Sequence, residues 1–323
     1  MSRSTHAVEV VPVALRPHPN ADALSIVTVH DAYQAIVRTA DWQGRTLGAY
    51  APPDSVIPAG LVPGVEGRVR AIRLRGLISE GLLLPAPDGA VVGDDVSDRL
   101  GIGHYEPPLN ATTGGEDAPA PSGYCPVYDV EAARRYGSAF TPGERVIATE
   151  KIHGANARYT FRDGAMHAGS RTGWKARTDE RGRAVLWWAA LDAHPEVRAW
   201  CEAHPGDVLF GEVYGQVQDL KYGRTDARIV TFDILRGLDF LDHDEARAAG
   251  PDLPWVPTLY DGPFTWIDDL AGHAEGPSIL ARANGAEHVR EGCVIRPERE
   301  RRDVAFGRVV LKLIGRDYLT RRG

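Results

Sequence analysis

Lysine is scarce in this chain. Of its 37 Lys plus Arg residues only four are lysine: Lys151, Lys175, Lys221 and Lys312. Arginine stays protonated in proteins, whereas lysine can lose its proton and attack as an amine. A lysine kept against this bias points to chemistry that a guanidinium cannot do. Lys151 is placed for such work. A strand-like run, Val146–Thr149, leads into Glu150-Lys151-Ile152-His153-Gly154, where the glycine predicts a turn, and Asn156 follows. A nucleophilic amine divides a hard transfer into two easier ones through a covalent intermediate. With an ordinary pKa of about 10.4, only about a thousandth of a lysine is neutral near neutral pH. The surroundings of Lys151 are therefore expected to lower its pKa, by burial or by nearby positive charge.

Glu150-Lys151-Ile152-His153-Gly154 resembles motif I, Lys-x-x-Gly, of the covalent nucleotidyltransferases: RNA ligases, DNA ligases and mRNA capping enzymes. The histidine before the glycine is similar to RNA ligases of the phage RNA ligase 2 type. Further stretches resemble the family's later motifs, in the family's order. Ser170-Arg-Thr-Gly173 would supply Arg171 to the nucleotide ribose or phosphate. Phe210-Gly-Glu-Val-Tyr-Gly215 would supply Glu212 on the ribose or metal side. In Thr231-Phe-Asp-Ile234, Phe232 would stack on the purine. In Glu291-Gly-Cys-Val-Ile-Arg296, Glu291 would bind metal. In Val310-Leu-Lys-Leu313, Lys312 would hold the adenylate phosphate. Glu150 joins the nucleotide-binding set through motif I.

Each pattern is weak alone. By themselves Glu212 and Glu291 read as solvent-facing carboxylates at strand ends, Phe232 as core, Arg171 as a surface arginine and His153 as a hydrogen-bonded core histidine. The joint order carries the resemblance. Two positions depart from it. The family often has two lysines separated by one residue in motif V, and here the first is Val310, which leaves phosphate neutralisation to Lys312, helped by an arginine such as Arg316. DNA ligases and capping enzymes carry Asp where this chain has His153. Lys175 and Lys221 receive no role.

The resemblance implies an ATP-dependent RNA ligase of the Deinococcus type. Lys151 would take AMP from ATP, pass it to an RNA 5′-phosphate, and a 3′-hydroxyl would then displace it. The implied cofactors are ATP and Mg²⁺ or Mn²⁺, the metal held by Glu291 and Glu212. His153 and Asn156 would act with Lys151 in catalysis, mainly after it is adenylylated, by positioning the 5′-phosphate. The expected partner is RNA or an RNA-containing nicked duplex, with no membrane and a monomeric chain. The alternatives are a DNA ligase or GTP-using capping enzyme, or a noncatalytic tRNA- or RNA-binding protein.

The elements that must position these residues divide the chain in two. Residues 1–105 read as short strands broken by Gly and Pro, at 7–14, 25–30, 34–39, 46–51, 68–74 and 81–84, which suggests a small barrel. Arg16-Pro-His-Pro-Asn-Ala-Asp22 resembles the opening turn of the OB-fold tRNA-binding domain of bacterial phenylalanyl-tRNA synthetase, and such a domain also precedes the catalytic domain in Deinococcus-type RNA ligases. Arg68, Arg70, Arg73 and Arg75 form either a phosphate-tracking strip or a solvated ladder that protects a sheet edge. Residues 106–123, rich in Pro, Gly and small polar residues, predict an extended linker. Residues 124–323 mix strands (146–149, 157–161, 208–213, 229–235, 293–296, 309–313) with helices near 129–136, 183–203 and 278–284. The expected class is α+β: an N-terminal OB-fold β-barrel, then an antiparallel-sheet nucleotidyltransferase (ATP-grasp-like ligase) domain.

Composition sets outer limits. A hydrophobic fraction of 43% and a charged fraction of 25% are ordinary for a soluble protein. No apolar run approaches the roughly 20 residues of a membrane span. Three widely spaced cysteines, Cys125, Cys201 and Cys293, argue against a disulfide frame or a zinc finger, and a cytoplasmic protein is expected. The net charge of −7 argues against tight nonspecific nucleic-acid binding, although a cleft can focus a local basic field.

Overall fold

Two sets of short strands, separated by the Pro- and Gly-rich stretch, build two compact units: residues 1–108 with 319–322, and residues 109–318 with Gly323. The computed structural model describes residues 6–30, 32–105 and 116–321.

In the first unit, apolar strand residues fill two clusters. One gathers Val8, Val10, Ala49, Ala51, Ile57 and Leu84; the other Val11, Val27, Val29, Ala35, Trp42 and Tyr50. The strands form three three-stranded ladders and one two-stranded hairpin. Among the described residues these ladders do not join into one closed barrel. The run 68–74, expected as one strand, is broken: a strand ends at Arg68 and another begins at Ile72. Val69 and Ala71 turn inward there, and the Val69 amide bonds to the Ser55 carbonyl. Arg68 pairs with Asp54 at 2.7 Å and lies over the Tyr105 ring, while Arg75 sits in the hairpin turn at φ +49°. All four arginines are exposed, Arg68 and Arg70 on either side of buried Val69 and Arg73 and Arg75 in the following hairpin.

The second unit is built on two five-stranded sheets. The first runs, in spatial order, Glu131–Ala132, Leu311–Ile314, Gly292–Pro297, Arg145–Lys151 and Thr258–Pro263. The second runs Ala165–Gly169, Ala155–Arg162, Val208–Gly215, Ala227–Arg236 and Asp239–Phe240. All their neighbouring pairs are antiparallel except Glu131–Ala132 with Leu311–Ile314. The chain crosses from the first sheet to the second at residues 152–154, directly after Lys151. The helix expected over 183–203 is two, Leu186–Asp192 and Pro195–Ala203. Proline lacks the amide needed inside a helix but suits a first turn, so Pro195 starts the second. Trp187, Trp188 and Trp200 from this pair cover the second sheet as core. Of the stretch expected at 129–136, only Ala133–Tyr136 is helical.

Part of the expected linker, 106–115, lies outside the described residues. Its remainder is tied down. Ala118 N–H donates to Trp174 O, Ala176 N–H donates to Glu116 O, and the Arg162 guanidinium donates to the carbonyls of Ser122 and Tyr124. Composition suggests an extended connector because these residues offer little to bury, and in the described part their backbone groups find partners. Among the described residues no helix is long and apolar enough to cross a membrane.

Candidate active site

Strand register brings the first pair together. Lys151 ends its strand opposite Gly292, and Glu291 is the residue just before Gly292. The Glu291 carboxylate therefore reaches Lys151, with Oε1 2.7 Å from Nζ. A side chain at 292 would place its Cβ 2.1 Å from the Leu313 carbonyl oxygen, so the close approach needs glycine. The same holds at the turn: a Cβ at Gly154 would lie 2.1 Å from Val213 O and 2.9 Å from Glu212 Cγ. Glycine there lets the Lys151 turn press against the strand that carries Glu212. Across from Glu212 on the neighbouring strand is Asn156. Lys312 comes from the first sheet, in register with Val294.

Phe232 reaches the site through a bulge. The pairing runs Phe210 with Asp233 and then Gly211 with Thr231, leaving Phe232 as the extra residue. A bulge re-aims a side chain: Thr231 and Asp233 are fully buried, and Phe232 lines a cavity of about 240 Å³ between the sheets. The same cavity is lined by Glu150, Lys151, Asn156, Arg171, Glu212 and Lys312. Seven of the nine residues singled out in the sequence thus share one wall, and Glu291 joins them through Lys151.

His153 stands apart from the cavity wall. Its backbone N–H donates to Tyr222 Oη (2.7 Å), its Nε2 lies 2.8 Å from Asp219 Oδ1, and its Nδ1 lies 3.0 Å from Tyr318 Oη and 3.7 Å from Glu291 Oε2. Arg171, half exposed at 51%, pairs with Asp129 at 2.6 Å. Glu150 Oε2 accepts the backbone N–H groups of Ile279 (2.9 Å) and Leu280 (3.2 Å); its Oε1 is buried without a hydrogen bond, as is Asn156 Oδ1. Val310 is buried and adds no charge, and Arg316 is not in the cavity wall. Arg296 is in that wall instead. Lys175 is nearly buried, 2.6 Å from Asp117 and above the Trp187 ring; Lys221 is exposed.

The electrostatics of Lys151 in the metal-free protein are set by its carboxylate neighbours. Burial pulls its pKa down, but the charges of Glu291 and Glu212 and the hydrogen bond to Glu291 outweigh it and hold the pKa above the ordinary lysine value. The immediate neighbours are carboxylates rather than cations, so the resting amine is an ammonium. Burial, reinforced by Glu291, pushes the Glu212 carboxyl up to about 8 against the pull of Lys151. For Glu291 burial also works upward, but Lys151 and His153 hold it below the usual carboxylate range. The two carboxylates beside one ammonium thus carry different protonation states near neutral pH.

Sequence reasoning missed what holds the floor of the cavity. Buried Asp233 takes Arg308 at 2.7 Å, Arg296 at 3.3 Å and a hydrogen bond from Tyr128 Oη at 2.8 Å. Burial would raise the Asp233 pKa, but Arg308 and Arg296 bring it below the ordinary value. Tyr128 also packs on Phe232, ring centroids 4.8 Å apart, and both Tyr128 and Arg296 line the cavity. Asp233 and Arg296 sit inside two of the recognised stretches, but only the fold shows that they meet; nothing near Tyr128 in the sequence signals it.

Whether these residues could hold a divalent cation is a question of donors. Among the described residues, no group of three or more His, Cys, Asp or Glu side chains is spaced to bind a metal unaided. Glu212 and Glu291 converge on Lys151, and Glu291 Oε2 is buried without a hydrogen bond. Mg²⁺ commonly takes one or two carboxylates together with substrate phosphates and water, and this pair fits that arrangement.

Comparison with known proteins gives a family and a fold. A family model described as RNA ligase matches residues 144–314. Solved structures of the Naegleria gruberi RNA ligase superpose over nearly the whole chain. An apo variant gives a TM-score of 0.79 at 22% identity, covering 98% of both chains. A variant with AMP and Mn gives 0.78 at 22% identity, covering 96% of this chain and 97% of that one. A variant with ATP and Mn gives 0.77 at the same identity and coverage. No curated protein matches the sequence. The family match runs from just before the lysine strand through the strand of Lys312 and takes in more than half of the residues, so the chain belongs to the RNA ligase family.

Proposed function

We propose that this protein is an ATP-dependent RNA ligase of the Deinococcus type, sealing 3′-hydroxyl/5′-phosphate nicks through a lysyl–AMP intermediate on Lys151. The observation that carries the reading is Lys151 Nζ held 2.7 Å from Glu291 Oε1, on a cavity whose wall also presents Phe232, Glu212 and Lys312. The Naegleria enzyme's structures with ATP, AMP and Mn support ATP and a divalent metal as its cofactors. Phe232 stacks on the adenine, backed by Tyr128; Glu150 and Arg171 hold the nucleoside; Lys312 meets the phosphate with Arg296 nearby.

Lys151 must lose a proton before it can attack the α-phosphorus. The N–P bond then forms as the bond to pyrophosphate breaks. Glu291 Oε1, already hydrogen-bonded to Nζ, is the group in reach of that proton. Bound by Glu291, Glu212 and the nucleotide phosphates, Mg²⁺ or Mn²⁺ would supply the positive charge that favours the neutral amine and stabilises charge on the phosphate oxygens. His153 and Asn156, next in the chain, act on the RNA 5′-phosphate that accepts AMP. In this reading residues 1–105 are an OB-fold that contacts nucleic acid, residues 106–123 a linker and residues 124–323 the catalytic domain.

A nick-sealing assay tests the substrate assignment. Duplexes with RNA on the 3′-hydroxyl side should be sealed with ATP and Mg²⁺ or Mn²⁺, and all-DNA nicks sealed more slowly. Equal or better sealing of all-DNA nicks would contradict it.

A further inference from the structure

Both imidazole nitrogens of His153 meet residues that no motif marks, and Nδ1 also lies 3.7 Å from Glu291 Oε2. Nε2 lies 2.8 Å from Asp219 and Nδ1 lies 3.0 Å from the Tyr318 hydroxyl. We propose that Asp219 and Tyr318 are positioning residues that fix the His153 ring for the RNA 5′-phosphate; this rests on the role given to His153 above. An ionised carboxylate only accepts hydrogen bonds, so Nε2 carries its hydrogen toward Asp219. Nδ1 then faces a hydroxyl able either to donate or to accept. A histidine's reactive nitrogen is set by the bond its other nitrogen makes, and here both bonds come from segments far away in sequence.

The segment that carries Asp219 is built to grip this turn. Residues 216–226 join the strands Val208–Gly215 and Ala227–Arg236. From this loop Tyr222 Oη accepts the His153 N–H, Gln218 Nε2 donates to the Gly154 carbonyl at 3.4 Å, and Asp219 meets the ring. Tyr222 is fully buried at φ +51°, a conformation that bulky residues rarely adopt. Such strain persists where the surroundings over-determine it, and it clusters at functional sites. The Tyr222 ring is wedged edge-on against Tyr214 and His288. A loop so held fixes the Lys-x-x-Gly turn from outside. From the other side Tyr318 presents its ring edge-on to His153, centroids 5.6 Å apart. His153 lies outside the cavity wall and Asp219 is 53% exposed, so this grip faces the side a large substrate can reach.

The test uses the full chain, ATP with Mg²⁺, and a nicked duplex with a 5′-phosphate and RNA on the 3′-hydroxyl side. Asp219→Ala, Asp219→Glu, Tyr318→Phe and His153→Ala are compared with the double variants Asp219→Ala/His153→Ala and Tyr318→Phe/His153→Ala. Labelling of Lys151 by ATP and transfer of AMP to the RNA are timed separately. We expect Asp219→Ala and Tyr318→Phe to label Lys151 at the wild-type rate. Their AMP-transfer kcat should fall by about 10- to 100-fold, the size of effect that misplacing a catalytic group by roughly 1 Å can have. Asp219→Glu should recover part of that loss, and neither substitution should slow the His153→Ala protein further. Equal losses in both backgrounds, no loss in either, or loss of Lys151 labelling would overturn the inference. Wild-type sealing by His153→Ala would remove the role of His153, and this inference with it, while leaving the ligase reading standing.

Discussion

Lys151 Nζ and Glu291 Oε1 lie 2.7 Å apart in a site where the ammonium is stabilised rather than weakened. A nucleophile is thereby stored in its unreactive form. The carboxylates that hold it are the same ones that fit a divalent cation, so occupancy of Glu291 and Glu212 and reactivity of Lys151 are linked.

Glu291→Ala removes both the partner of Lys151 and one of the two carboxylates. It should reduce Lys151 adenylylation by roughly 100-fold or more, in line with the loss of a group that stabilises transition-state charge. Single-turnover labelling with ATP measures this, and a near-wild-type rate would contradict the role of Glu291.

Glu212 gives a pH signature in the metal- and nucleotide-free protein. Its carboxyl titrates near pH 8 when folded, against an ordinary value of 4.5. Between those values the folded protein binds a proton that the unfolded chain has released, so this group's contribution to stability falls as pH rises. Glu291 runs the opposite way: its lowered pKa stabilises above the ordinary carboxylate range, and that is lost on acidification. Denaturant melts of Glu212→Gln and wild type at pH 5 to 9 should show the variant gaining on wild type up to about pH 8 and then levelling. A constant difference across the range would contradict the assignment.

Tyr128→Phe deletes one hydroxyl, the donor to buried Asp233. A hydrogen bond to a charged group contributes about 1.5–3 kcal/mol, and a loss of that order is expected in urea unfolding. ATP binding should weaken as well, because Tyr128 backs Phe232. Unchanged stability would mean that the two arginines alone satisfy Asp233.

Gly154→Ala drives a methyl into the Val213 carbonyl and the Glu212 side chain. Overpacking typically costs about 1–3 kcal/mol, and here it also displaces the Lys151 turn. A folded but destabilised protein with little adenylylation is expected; thermal melting and ATP labelling together check this.

Much of the site was legible because it follows strand register. Lys151, Asn156, Glu212 and Lys312 lie on strands whose β-prone runs show in the sequence, and pairing brings them together. Phe232 was identified as a site residue, but the bulge that aims it was not, since one extra residue in a strand leaves no mark on composition. The raised Lys151 pKa of the metal-free protein was not legible, because it depends on which charges approach across the sheets, whereas the lowered value was expected with a metal on Glu291 and Glu212. Tyr128 was invisible, as its value comes from Asp233, 105 residues away. In the first unit, the periodicity of residues 68–74 hid a break: Val69 and Ala71 turn inward and Arg75 takes a turn conformation, which side-chain pattern alone does not reveal.

The central claim is a covalent bond between one amine and a nucleotide. Purified protein incubated with α-labelled ATP and Mg²⁺ or Mn²⁺, then run on a denaturing gel, tests it most directly. The account predicts label retained by the wild-type chain, mapped to Lys151 by peptide mass, and none on Lys151→Ala or Lys151→Arg. A wild-type chain that takes up no label, or a Lys151→Ala chain that still does, would contradict it.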